Sequence, residues 1–201
     1  MMAEITKLDS PIDVMYLLHK ALRAEAARLE QMSERLTMGE SLQPLQEAFQ
    51  HWGKALGYHA AVEDQYMTAP LADLPPVRGN EVSHQGLEVR LEDLQEYLMT
   101  EAGPTCPRPK TRRHLYGKLV ALRIAQDDHL EEEAFVLPMI RQRIPEAQQL
   151  EMARRLLVDG DGPPHSWIME WVAGALTATE CELLADVAAR FKEIPTESLS
   201  R

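Results

Sequence analysis

Four histidines fall one each on the apolar stripes of four long segments, and two of them carry, four residues on, a glutamate on the same stripe. They are His19 in YLLHKALR, His59 with Glu63 in YHAAVED, His84 in VSHQGLE, and His129 with Glu133 in DDHLEEE. A helix places residues i and i+4 on one face, so each His-x-x-x-Glu pair can aim an imidazole and a carboxylate at one point. Four imidazoles and two carboxylates converging in a helical core are a donor set for two metal ions. A lone histidine on an apolar face is more often a satisfied core residue. Buried glutamates change the balance, because an ionised carboxylate without a partner loses hydration worth several kcal/mol. A pair of cations is the simplest compensation.

Four amphipathic helices must carry these residues. Ser10-Pro11-Ile12-Asp13 reads as a helix start, with a capping serine, a proline in the first turn and an acid at the positive end of the dipole. The first stripe is Ile12, Met15, His19, Leu22, Ala26, Leu29. The second helix is expected from about Leu42 to Thr68 and ends at the prolines 70, 75 and 76. A third starts near Asn80, and 103–109 reads as a loop. The fourth runs from about Lys110 to Arg143 with a kink at Pro138. Short connections between such helices predict an all-α, up-down-up-down four-helix bundle over 1–143. Residues 144–201 form a helical C-terminal extension on or near it, with segments near 146–158, 165–176 and 179–192. In such a bundle all six candidate ligands lie within about two turns of one height, at a rise of 1.5 Å per residue.

Composition narrows the function further. The 201 residues carry a net charge of −11, which opposes binding to nucleic acid or to anionic membranes. No apolar run of about 18 residues is present, so no membrane span is expected. The first ten residues, MMAEITKLDS, lack the apolar stretch of a secretion signal. Two cysteines, Cys106 and Cys181, suggest neither a disulfide scaffold nor a metal motif, and a cytoplasmic location is expected.

The order His19, His59 with Glu63, His84, His129 with Glu133 resembles the hemerythrin superfamily, specifically the bacterial-type hemerythrin-like HHE cation-binding domain, over about residues 10–143. The resemblance implies a non-haem centre of two iron ions joined through oxygen, with both glutamates bridging and the histidines terminal. Manganese and zinc also suit such ligands. The oxygen-carrying hemerythrins have five histidines and pair the last with an aspartate, and this chain departs from them on both points. It is closer to the bacterial branch linked to peroxide, O2 or nitric oxide. With two histidines per ion, both ions would keep a labile position.

Around this set, Gln126 lies one turn from His129 and Tyr66 one turn beyond Glu63. They are candidates to hydrogen-bond a ligand side chain or a bound oxidant. Met15, Leu22, Leu56 and Leu87 are candidate cavity walls. Glu88 forms a third pair with His84, one place off the seam. His51 is expected in solvent and His114 too far along its helix to join. His165 could reach the centre if the extension covered it, with Trp167 and Trp171 packed on the bundle. Three functional classes fit: an enzyme acting on a small oxidant, an O2 or iron sensor, store or carrier without turnover, and a metal-stabilised interaction module.

Overall fold

Asp13 starts the first helix by accepting the backbone N–H groups of Asp9 and Ser10, at 2.8 and 3.1 Å. A single 3-10 turn, Pro11–Asp13, leads into α1 (Val14–Arg35). The computed structural model describes residues 4–68, 71, 79–101, 103–105, 108–159 and 166–194. These are all-helical, and the one β-bridge among them joins Ser41 to Thr105. After α1 come α2 (Gln43–Glu63), α3 (Asn80–Glu96), α4 (Pro109–Ala134), α5 (Leu137–Arg143), α6 (Glu146–Leu157), α7 (Trp167–Ala173) and α8 (Ala178–Ala189). A 3-10 turn, Arg190–Glu193, follows α8. The prolines 70, 75 and 76, Cys106 and His165 lie outside the described residues.

Two boundaries differ from expectation. The second helix widens to a π turn over Asp64–Thr68 directly after Glu63, a feature that concentrates at functional sites. The fourth helix does not run to Arg143 with a kink. It stops at Ala134, turns at Phe135 and Val136, and restarts as α5. Pro138 accounts for the break. It has no N–H for the Ala134 carbonyl, and its ring would clash with that carbonyl. The last turn of α4 is closed instead by short-range bonds from Phe135 to Glu132 O (3.1 Å) and from Val136 to Glu133 O (2.8 Å).

The apolar stripes pack into one core. Met15, Leu18, Leu22 and Leu29 of α1, Trp52 and Leu56 of α2, and Leu115, Leu119 and Leu122 of α4 are all buried. Each such side chain contributes about 1.5–3 kcal/mol relative to exposure. α1 lies against α2 and α4, and α3 lies against α4. Arg141 reaches Asp13 at one end of α1 (2.7 Å), and Arg112 donates to Leu36 O (2.9 Å) at the other. Tyr97 stacks edge-on against His114, 4.9 Å between centroids. Gln46 of α2 donates to Leu98 O beyond α3 (3.1 Å).

The later helices pack on the same core. α6 buries Leu150, Leu156 and Leu157, and Tyr58 of α2 donates to Arg155 O at 2.6 Å. Trp167 sits edge-on to Tyr58 at 5.6 Å, with Lys54 over its ring. Glu180 of α8 is buried and accepts from Ile5 N (2.9 Å), Thr177 N (3.0 Å) and Lys20 Nζ (2.5 Å). These bonds outweigh the cost of its burial and hold its carboxyl down to about 2.

Candidate metal centre

Four helices bring the six residues together. His19 comes from α1, His59 and Glu63 from α2, His84 from α3, and His129 and Glu133 from α4, and all six are buried. Within α4, His129 Nε2 lies 2.8 Å from Glu133 Oε1; within α2, His59 Nε2 lies 3.7 Å from Glu63 Oε1.

The carboxylates divide the histidines into two pairs. Glu133 Oε2 faces His19 Nε2 at 3.2 Å and His59 Nε2 at 3.5 Å. Its other oxygen, Oε1, faces His84 Nε2 at 3.3 Å and His129 Nε2 at 2.8 Å. Glu63 repeats the arrangement, with Oε1 toward His59 and Oε2 toward His84 at 3.5 Å. Two groups result that could each hold a metal ion: His19, His59, Glu63 and Glu133, and His84, His129, Glu63 and Glu133. The ligand atoms of each group lie within 4.8 Å of one another.

The chemistry of the donors fits cations better than it fits hydrogen bonding. His19 Nε2, both ring nitrogens of His59 and of His129, and Glu133 Oε2 are buried without a hydrogen-bond partner. Several sit within 3.5 Å of each other, yet their directions miss. They converge on shared points rather than on one another. Two donor atoms about 2.1 Å from one ion stand ~3.0 Å apart at a right angle and ~3.4 Å apart at a tetrahedral angle. The separations seen here span that range.

Left to themselves, the side chains perturb one another strongly. Burial lowers His19 to about 4, against the pull of Glu133. Burial also acts downward on His84, but Glu133 and Glu63 outweigh it and raise the imidazole to about 10. Burial, then the charge of Glu133, raises Glu63 to about 8. Glu133 is held well below the usual carboxylate range, because Glu63 and three histidines outweigh its burial. Groups shifted apart in this way mark a functional site.

Neighbouring residues orient the cluster. His84 Nδ1 donates to Asp64 Oδ1 at 2.8 Å. A carboxylate only accepts, so this bond fixes the proton on Nδ1 and turns Nε2 inward. Sequence reasoning missed Asp64, which lies off the apolar stripe. It also missed Asn80, whose Nδ2 lies 3.5 Å from Glu63 Oε2. Gln126 is buried, but its Oε1 accepts from Trp52 Nε1 at 2.8 Å while its Nε2 is without a partner. Tyr66 is half-buried beneath the Arg155 guanidinium, 5.1 Å from its ring. Glu88 and His51 are exposed.

A cavity of about 20 Å³ touches Glu63, Glu133 and Asn80 and is otherwise walled by Met15, Met67, Val136, Leu137 and Ile140. That is room for one water-sized or diatomic molecule. Of the expected walls, Met15 lines it, whereas Leu56 and Leu87 line a surface groove instead. Among the described residues its cover comes from α5, which the break after Glu133 folds over the cluster.

No curated protein and no solved structure matches the chain. The family model for the hemerythrin HHE cation binding domain matches residues 10–153. That span holds the whole cluster, Asp64, and α1 to α5 with most of α6. The match covers well over half of the chain and coincides with a buried His/Glu cluster able to hold cations: this protein belongs to the hemerythrin HHE cation-binding family.

Proposed function

We propose that the six residues bind two iron ions and that the protein reacts with a small oxidant such as hydrogen peroxide, O2 or nitric oxide. His19 and His59 would hold one ion, His84 and His129 the other, and both would share Glu63 and Glu133. One observation carries this: each carboxylate turns one oxygen to each histidine pair. The supporting frame is an up-down-up-down bundle over 1–143, with 144–201 packed beside it, in a cytoplasmic protein.

When bound, the iron pair supplies two adjacent redox-active Lewis acids. The chain does the rest. Asp64 keeps the His84 ring in the ligating tautomer. Met15, Met67, Leu137 and Ile140 keep bulk water and larger substrates from the cavity. Asn80 places an amide beside Glu63 at its edge, where it can donate to an oxygen ligand.

The same small apolar cavity suits reversible O2 binding without turnover, which is the alternative. The discriminating experiment adds hydrogen peroxide to iron-loaded protein and follows O2 release. Sustained release supports turnover. A reversible colour change with O2, without peroxide consumption, supports a carrier or sensor.

A further inference from the structure

The cluster has two approaches of different chemistry. One is the apolar cavity under α5. The other is a groove of about 320 Å³ between α2 and α3, running from the surface to the imidazole of His84. Its existence follows from what α2 presents there: Gly57, Ala60 and Ala61 leave the space open. α3 buries His84, Leu87 and Leu94 and leaves Glu81, Gln85 and Glu88 exposed along it. Among the described residues, the charged groups along the groove are Asp64, Glu81 and Glu88, with no lysine or arginine in its walls. At the inner end, partly exposed Asp64 bonds His84 Nδ1 at 2.8 Å. On the far side of that ring, His84 Nε2 faces Glu63 and Glu133. Beyond it lie the buried, unpartnered nitrogens of His59 and His129.

We propose that the α2–α3 groove is the route by which divalent cations load the cluster, with Glu81, Glu88 and Asp64 drawing them in. This rests on the metal-centre assignment above. A cleft lined by one sign of charge focuses the field and raises cation arrival by about 10–1000-fold. A neutral oxidant gains nothing from such a field. The apolar cavity suits the oxidant, and it opposes an ion through the cost of dehydration. Cations and oxidant thus reach the same six residues by separate doors.

The test uses full-length protein stripped of metal and mixed rapidly with Co²⁺. Visible absorption follows uptake, and elemental analysis gives the final stoichiometry. Gly57→Phe plugs the groove. A Cβ at Gly57 meets nothing within 4 Å, so the ring extends into open space. Its uptake is expected to slow by about tenfold or more at unchanged final stoichiometry. The double variant Glu81→Gln, Glu88→Gln should slow uptake by about tenfold at low salt and lose most of its salt dependence. Ala24→Phe, on the α1–α4 groove, should load at the wild-type rate. A folded Gly57→Phe protein that loads at the wild-type rate overturns the proposal. Should that variant not fold, the double variant decides, since both glutamates are exposed; wild-type rate and salt dependence there overturn it equally. Rates belong to the route and final stoichiometry to the site. A wild-type protein that takes up no Co²⁺ at equilibrium removes the metal centre itself, and the route with it.

Discussion

Replacing Glu133 by glutamine keeps the side chain's shape and turns one oxygen into an amide nitrogen. In the wild type, Oε2 faces His19 and His59 at 3.2 and 3.5 Å, and Oε1 faces His84 and His129 at 3.3 and 2.8 Å. An amide can offer its oxygen to only one of these pairs; its NH2 group has no lone pair for a cation. One ion therefore loses a ligand, and the other keeps a neutral oxygen where it had a charged one. At free metal about a thousandfold above Kd, each bound ion stabilises the fold by about 4 kcal/mol. For a chain of this size, each kcal/mol moves Tm by about 2–4 °C. Loading two ions should thus raise the wild-type Tm by roughly 16–32 °C, and loading the variant by half of that or less. Circular dichroism melts with and without Mn²⁺, checked by elemental analysis, read both quantities. A Glu133→Gln protein that retains two ions and the full gain in Tm would refute the bridging role.

Other consequences follow from the same geometry. Asp64→Ala removes the partner of His84 Nδ1 and should weaken metal binding by about 10–100-fold in a competition titration with a chelator, leaving stoichiometry intact at saturation. In chelator-treated protein, His84 at about 10 and Glu63 at about 8 lie above their ordinary values of 6.5 and 4.5. The folded chain then holds protons that the unfolded chain releases, so this stability is lost as pH rises from about 4.5 toward 10. His19, lowered to about 4, acts oppositely as pH rises from 4 to 6.5. Melts of stripped protein should fall in Tm between neutral and alkaline pH, while loaded protein should not, because metal replaces those protons. Trp52→Phe leaves the buried Gln126 amide unpaired and should cost about 1–3 kcal/mol in denaturant unfolding with no change in metal content. Glu180→Ala should cost about 2–4 kcal/mol by the same measurement, since it leaves Lys20 and the Ile5 N–H without their acceptor.

The six clustered residues were legible because a helical stripe is a strict test. Histidine and glutamate at positions where the period demands an apolar side chain stand out, and equal depth in four helices adds a second constraint. The division into pairs was not legible. It depends on which way each carboxylate turns, a matter of rotamers rather than of spacing. Asp64 was missed for a related reason: it follows Glu63 directly, so an ideal helix would send it to another face, and the π turn that begins there carries no sequence signature. The break at Phe135 and Val136 was half legible. Pro138 marked the place, but expectation favoured a kink, and the structure ends the helix and uses α5 as the cavity's cover. Gln126 was found as a buried polar residue; its tie to Trp52 needed two stripes to be read against each other.

Anaerobic titration of metal-stripped protein with Fe²⁺, followed by elemental analysis after removal of free metal, bears most directly on the paired cation site. Two ions per chain are expected, falling to one or none when His19 and His59 are replaced together. An endpoint of zero or one in the wild type, or two ions retained without those histidines, would contradict it.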